Sequence, residues 1–270
     1  YASISAFGQT GPYVSKPAHD LAIQAYSGLI STNLGSDGKP ALPGVQSADM
    51  LSSLMGLSGI LMALFRREKS GRGDYIDIAM MDTLISCAPN NLGSVIAEKK
   101  APNVSHERVW GGHAMYNIYG TSDNKYIVLG ASEMHFAEAI LSKFNRLDLL
   151  PYCKLPPGPK QDPIKHFLTK KFFEENQGYW ISWFEDVNAS FAPVNSLKEA
   201  FNDPQLKQRE MIISDGSGNT HIGIPVKFKE EPGSIRFSTP GLGEHNEQVA
   251  RELGFDNNEI DALRRNGAFG

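Results

Sequence analysis

The chain has 270 residues, 41% of them hydrophobic and 21% charged, with a formal net charge of −4. This composition is typical of a globular protein with one large domain or two smaller ones. A mildly acidic chain without basic blocks argues against a nucleic-acid partner. Cys87 and Cys153, the only cysteines, lack paired spacing, which argues against disulfides and a Cys-based zinc site and favours a cytoplasmic protein.

Two further classes of partner are not expected. No apolar run approaches the roughly 20 residues that a membrane-spanning helix needs, so we expect no membrane partner. The seven His residues are scattered without ligand spacing, so we expect no metal.

The first part of the chain predicts a βαβ unit. Residues 1–7 alternate like a strand, and residues 19–29 resemble a short helix. Apolar residues then recur at spacings of three and four between Met50 and Phe65, which predicts a long helix. The stretch "DYIDIAMMDTLISC" predicts a second strand that runs into another helix. Two strands around a long helix indicate a parallel sheet, and we expect the first strand to lie inside it.

The rest of the chain has a different pattern. "HAMYNIYGTSDNKYIVLGAS" predicts a hairpin that turns at Ser122-Asp123-Asn124. Helices are expected near Met134–Phe144, Pro163–Phe173 and Gly178–Asp186. "APVNSLKEAFND" predicts a strand that turns into a helix, and the end of the chain predicts strands followed by two short helices.

Three ionisable residues stand where helices or loops begin. Asp49 can be a helix cap, or a carboxylate kept ionised at a helix N-terminus and available as a nucleophile. His19 can be a structural residue fixed by nearby backbone groups, or a base near neutral pH. Glu133 follows a strand end, where it can cap the next helix or carry function.

Several stretches resemble the class III CoA-transferase family, also called the CaiB/BaiF family, which includes the α-methylacyl-CoA racemases. The resemblance covers essentially the whole chain. It rests on the stretches "YASISAFGQTGPY", "KPAHDLAIQAYSGL", "SADMLSSLMGLSGILMALFRREKSGRGDYIDIAMMD", "YNIYGTSDNKYIVLGASEMHFAEAIL" and "GIPVKFKEEPGSIRFSTPGLGEH".

The resemblance implies an α/β fold with two domains in an interlocked homodimer. The parallel-sheet large domain would use residues 1–105 and the returning segment 206–270, and a small α+β domain would use residues 106–205. The resemblance also implies that about 100 further residues precede this point and form the first half of a nucleotide fold.

The resemblance also implies the reaction and its residues. Asp49 falls on the catalytic aspartate, which attacks an acyl-CoA thioester and then carries CoA to a small carboxylic acid. His19 and Glu133 fall where racemases carry a proton-transferring His and its supporting Glu. Asp20 is implied to contact coenzyme A, and Gly111 and Gly112 to form a loop over the site.

Three functions remain open from the sequence. The first is CoA transfer between carboxylic acids through Asp49. The second is racemisation of a 2-methylacyl-CoA by His19 and Asp49 on opposite faces of the α-carbon. The third is an inactive CoA-binding fragment. Racemases often carry a Tyr where this chain has Ile23, which favours the transferase.

Overall fold

The computed structural model describes residues 1–269, without the side chains of Pro89 and Asn91. It is a mixed α/β structure that divides into two compact units, residues 1–194 and 195–270. The strands are β1 (Ala2–Ser5), β2 (Ile76–Ala79), β3 (Tyr116–Gly120), β4 (Tyr126–Gly130), β5 (Phe191–Pro193), β6 (Ile212–Ser214) and β7 (Thr220–Ile222). The helices are α1 (Asp20–Tyr26), α2 (Ser47–Ser70), α3 (Met80–Ser86), α4 (Pro89–Glu98), α5 (Met134–Lys143), α6 (Leu150–Cys153), α7 (Asp162–Phe172), α8 (Gln177–Phe184), α9 (Leu197–Phe201), α10 (Pro204–Gln208), α11 (Asn246–Glu252) and α12 (Asn257–Arg265).

The predicted parallel pair is confirmed. β1 pairs with β2 in parallel, with Ala2 opposite Ile76 and Ser5 opposite Ala79. α2 lies between the two strands in sequence and ends at Gly71, whose φ of 69° is the left-handed conformation that glycine adopts readily.

α2 approaches the sheet through its glycines. A Cβ added at Gly56 would lie 2.7 Å from Cδ1 of Ile4 on β1, and one at Gly59 would lie 3.4 Å from Cγ2 of Ile76 on β2. Because residues three apart share one helix face, the two glycines together let the helix backbone pack close to both strands.

The predicted hairpin is also confirmed. β3 pairs with β4 antiparallel, and β5 adds to the other edge of β4. Asn124 in the turn has a φ of 59°, a conformation that Asn tolerates better than most residues. The hydrophobic core below this sheet contains Phe172 and Trp180, whose rings meet edge to face at 5.0 Å.

The second unit holds the β6–β7 hairpin and helices α9 to α12. The two terminal helices are confirmed. Of the strands expected in the stretch that begins at His221, only β7 is present, since residues 223–245 contain no strand. Pro225, Pro232 and Pro240 interrupt this segment, and proline removes a donor that a strand ladder needs.

The first unit contains two separate hydrophobic clusters. One surrounds the three-stranded sheet, and the other is built on Ile23, Ala48 and Leu84 beside the parallel pair. The proposed boundaries at residues 105 and 205, and the homodimer, stay predictions.

α2 corrects one expectation from the sequence. By length and composition it is apolar enough to cross a membrane. A single helix of this kind is weak evidence of a membrane span. α2 packs against α1, α3 and both strands of the parallel pair, but only 17% of its apolar stretch is buried.

Candidate active site

Asp49 lies in the first turn of α2 with its side chain exposed. Its carboxylate makes no hydrogen bond to any part of the chain that the structure describes. Its backbone carbonyl accepts bonds from Ser52 Oγ at 3.1 Å and Ser53 Oγ at 2.8 Å. The helix-cap interpretation of Asp49 is therefore wrong, since the N-cap residue is Gln46, which makes no capping bond through its side chain.

Asp20 caps α2 instead, from another helix. Its Oδ1 accepts the backbone amides of Ala48 at 2.8 Å and Asp49 at 3.3 Å. Its Oδ2 accepts a hydrogen bond from Nε2 of Gln24 at 2.7 Å. The same nitrogen also donates to the carbonyl oxygen of Val45 at 3.2 Å. Because Asp20 is only 9% exposed, the amides and the Gln24 side chain satisfy a charge that would otherwise be costly to bury. The contact with coenzyme A implied for Asp20 stays a prediction.

His19 directly precedes Asp20 and is the N-cap residue of α1. Its backbone is extended, with φ −115° and ψ 175°. Successive side chains of extended backbone point to opposite sides. Accordingly, the Asp20 side chain is buried and the neighbouring His19 side chain is exposed. The His19 ring makes no hydrogen bond to the described residues, so the interpretation as a ring fixed by backbone groups is wrong.

The two helix starts meet beside the carboxyl end of β1. Ala48, next to Asp49, belongs to the same buried cluster as Ile23 of α1, and Phe7 packs on that cluster two residues after β1 ends. Ligands of open α/β sheets bind in the crevice at this end of the strands. The starts of α1 and α2, which carry His19 and Asp49, thus lie beside this end of β1.

Lys16 is a nearby cation that the sequence reasoning missed. Its Nζ lies 4.8 Å from the ring centroid of Tyr13 and 4.7 Å from that of Tyr26, and it donates to the Tyr26 hydroxyl. The bond to Tyr26 raises the pKa of Lys16. Phe7 packs edge-on against both tyrosines, so the ammonium group is held by the cluster that follows β1. In the sequence, the aromatic residues Phe7, Tyr13 and Tyr26 around Lys16 were the only indication of this cation site.

Glu133 is the third of the predicted catalytic residues. It is the N-cap residue of α5, it is exposed, and it makes no capping bond through its side chain. Throughout residues 1–269, no hydrogen bond or ion pair joins Glu133 to His19 or Asp49. The side chain belongs to the part of the first unit built on the antiparallel sheet.

Gly111 and Gly112 form a tight turn before β3. Gly111 has a φ of 82°, and its carbonyl oxygen accepts a hydrogen bond from Nδ2 of Asn117 at 3.2 Å. Gly112 donates to the Glu107 carbonyl at 2.9 Å and accepts the Gly158 amide at 2.8 Å. The turn is thus bonded on several sides, and Gly111 also lines a cavity of about 700 Å³. All the residues that line this cavity are uncharged: Thr32, Asn33, Leu34, Gly35, Ser36, Gly38, Val104, Ser105, Val109, Trp110, Gly111, Tyr116, Asn117, Ile118, Val128 and Leu129.

Two buried polar side chains fix the segment after these glycines. His113 Nδ1 accepts the amide of Met115 at 3.1 Å, and Gln161 Oε1 accepts the amide of Ala114 at 2.9 Å. Burial lowers the pKa of His113, against the effect of a hydrogen bond with the Cys153 backbone. The sequence reasoning singled out neither residue. The fold brings Gln161 to the Ala114 amide from 47 positions away, and it brings His113 to the Cys153 backbone.

Within residues 1–269, no group of three or more His, Cys, Asp or Glu side chains is arranged to hold a metal ion.

Residues 1–246 match the family described as CoA-transferase family III, and the chain belongs to this family. The expected resemblance is therefore confirmed. Mouse succinyl-CoA:glutarate CoA-transferase is 27% identical over 280 aligned positions, which cover 100% of this chain and 63% of the mouse protein. The chain thus spans less than two thirds of that relative.

Relatives of both reaction types occur. Acetyl-CoA:oxalate CoA-transferase of Acetobacter aceti is 28% identical, over 93% of this chain and 67% of its own length. Human alpha-methylacyl-CoA racemase is also 28% identical, over 97% of this chain and 69% of its own length. The chain is thus equally similar to this transferase and to this racemase.

A solved structure supports the fold. A CAIB/BAIF family protein from Brucella suis superposes with a TM-score of 0.75 at 25% identity, covering 94% of this chain and 67% of the other.

Proposed function

We propose that this chain carries the nucleophile of a CoA transferase that moves CoA from an acyl-CoA to a small carboxylic acid. The observation that carries the proposal is the free carboxylate of Asp49 in the first turn of α2. A carboxylate at this position is favoured in its ionised, nucleophilic form by the positive end of the helix. Because Asp20 occupies the two backbone amides, Asp49 is left available for a substrate.

The reaction follows from this nucleophile and the family. An Asp49 oxygen attacks the thioester carbonyl, and CoA thiolate leaves, which gives an acyl-aspartyl anhydride. The thiolate then attacks the aspartyl carbonyl, releasing the donor acid and forming an aspartyl-CoA thioester. The acceptor carboxylate reverses both steps and departs as the new acyl-CoA. Lys16 adds a fixed cation suited to the phosphates of CoA, and Gly111 and Gly112 are the proposed loop over the site.

The experiment is exchange between an acyl-CoA and free acids, followed by mass spectrometry. We expect new thioesters with wild type and none with Asp49→Ala. Hydroxylamine added during turnover should convert Asp49 to a hydroxamate that peptide mapping locates. Full exchange by a folded Asp49→Ala protein would contradict the covalent mechanism. An inactive CoA-binding fragment would bind CoA without any exchange.

Racemisation of a 2-methylacyl-CoA is the second candidate, and the exposed, unbonded ring of His19 favours it. His19 and Asp49 would serve as the two acid/base groups on opposite faces of the α-carbon. Glu133 is proposed to support the His. This arrangement requires Glu133 to come from elsewhere in an assembly, or from a different arrangement of the chain, since no bond joins it to His19 here. The homodimer and the cytoplasmic location stay proposals.

A further inference from the structure

We propose that Asp20 is the positioning residue that keeps the Asp49 carboxylate free for catalysis. The inference rests on the proposed function. It gives Asp20 a role different from contact with coenzyme A, because it acts on the backbone of the nucleophile rather than on the substrate.

The start of α2 has no cap of its own. The first turn of any helix leaves backbone amides without partners inside the helix. Gln46, at the N-cap position, offers no side-chain bond. Asp20 supplies the missing acceptor from 28 residues earlier in the chain, and it takes the amides of Ala48 and of Asp49 itself.

Without Asp20, these amides would need another acceptor, and the Asp49 carboxylate stands in the same first turn of α2. Asp is among the side chains that most readily bond to backbone amides at a helix start. A bond of that kind would turn the nucleophile back onto its own helix and occupy the oxygen that attacks the thioester. Asp20 prevents this by occupying the amides first.

The charge of Asp20 acts in the same direction. A buried carboxylate beside the helix start offsets the positive end of the helix, which would otherwise draw Asp49 inwards. Two carboxylates also repel each other, which favours an outward orientation of the exposed Asp49. Gln24 fixes the second oxygen of Asp20 and also holds the Val45 carbonyl, so the loop leading into α2 is tied to the same group.

The test compares Asp20→Ala with Asp20→Asn. Asn keeps an oxygen that can accept the two amides, whereas Ala removes it. We expect Asp20→Ala to lower kcat by about 100-fold, the typical result of a misplaced catalytic group. Asp20→Asn should recover most of that loss, and KM for the acyl-CoA should stay within about twofold in both variants. Asp162→Ala, which removes an exposed carboxylate from the first turn of α7, is the matched control and should leave kcat unchanged.

A second measurement does not depend on activity. Hydrogen exchange of the peptide that contains Ala48 and Asp49 should be faster by about tenfold in Asp20→Ala, because both amides lose their acceptor. Asp20→Asn should restore the protection.

The outcomes separate the two proposals. Unchanged kcat with a raised KM in Asp20→Ala would show contact with coenzyme A and overturn positioning. Equal activity loss in the Asn and Ala variants, or unchanged exchange of the amides, would also overturn it. A wild-type protein that transfers no CoA would refute the proposed function. The hydrogen-exchange data would still show whether Asp20 holds the start of α2.

Discussion

The backbone amide of Gly112 donates to the Glu107 carbonyl at 2.9 Å, and a Cβ added at Gly112 would lie only 2.5 Å from that same oxygen. The atom it would strike is backbone and cannot rotate away. Gly112 is therefore required by the packing of this turn, independently of any loop over a substrate.

Replacement of Gly112 by Ala should destabilise the protein. We expect a loss of about 1–3 kcal/mol in the free energy of unfolding, the usual cost of overpacking. Gly216→Ala is the control, because nothing lies within 4 Å of its added Cβ, and its effect should stay within about 0.5 kcal/mol. Denaturant unfolding of the two variants measures the difference, and equal stability would contradict the packing argument.

Asp49 and Asp20 should differ in their effect on stability. Asp49→Ala should change the free energy of unfolding by less than about 0.5 kcal/mol, because the side chain is exposed and unbonded. Asp20→Ala should cost about 1–3 kcal/mol, since it leaves the amides of the α2 start without their acceptor. Thermal and denaturant unfolding measure both. A larger loss in Asp49→Ala than in Asp20→Ala would show that Asp49 is the true cap.

Deuterium exchange separates the two candidate reactions. A racemase must remove the α-hydrogen of a 2-methylacyl-CoA and replace it from solvent, so deuterium should enter that position. A transferase need not touch this hydrogen. His19→Gln should suppress the uptake in a racemase and leave CoA exchange almost unchanged in a transferase. NMR of the recovered thioester reports the result, and no uptake by wild type would exclude racemisation of that substrate.

Stability should fall as the pH drops below the ordinary pKa of His. Burial of His113, which is 6% exposed, lowers its pKa, and the positive charges of Arg108 and Lys165 act the same way. The Cys153 backbone and Glu133 oppose the shift. Below pH 6.5, His113 of the unfolded chain binds a proton, whereas the buried His113 of the folded chain does not. The contribution of His113 to stability is therefore fully present above pH 6.5. It is lost as the pH falls towards the lowered pKa of the folded state.

The slope of this loss is limited to about 1.4 kcal/mol per pH unit for one proton. Unfolding experiments between pH 7 and 5 should therefore show a weaker pH dependence in His113→Asn than in wild type. The matched control is His135→Asn, whose side chain is exposed. An identical pH dependence in wild type and His113→Asn would contradict the assignment.

The exposed face of α2 should promote self-association of residues 1–270. Leu61 is 56% exposed and Phe65 68% exposed, one helical turn apart. Contiguous apolar surface of this kind favours association. Leu61→Gln should lower the binding of a dye that recognises apolar surface, and it should lower the weight-average sedimentation coefficient. Leu197→Gln, at a residue of α9 that is 91% exposed, should change neither. Equal behaviour of the two variants would exclude α2 as the cause.

The local elements and the family could be predicted from the amino-acid sequence. Helix α2, the two strands of the parallel pair and the β3–β4 hairpin follow from periodicity and turn residues, which depend on neighbours in the chain. The family match over residues 1–246 confirms the resemblance carried by the quoted motifs. The failed strands beyond residue 222 show the limit, because short apolar runs between prolines satisfy the strand pattern without a pairing partner.

Which carboxylate caps α2 and which stays unbonded depends on long-range contacts of the fold. Local rules favour Asp49 as the cap, since it stands at a helix start. The fold brings in Asp20 from 28 positions away, and a buried carboxylate that needs donors competes for the same amides. Gln161 could not be predicted for the same reason, because the Ala114 amide that it bonds lies 47 positions away in the chain. Contacts of this kind leave no periodic trace in a single sequence.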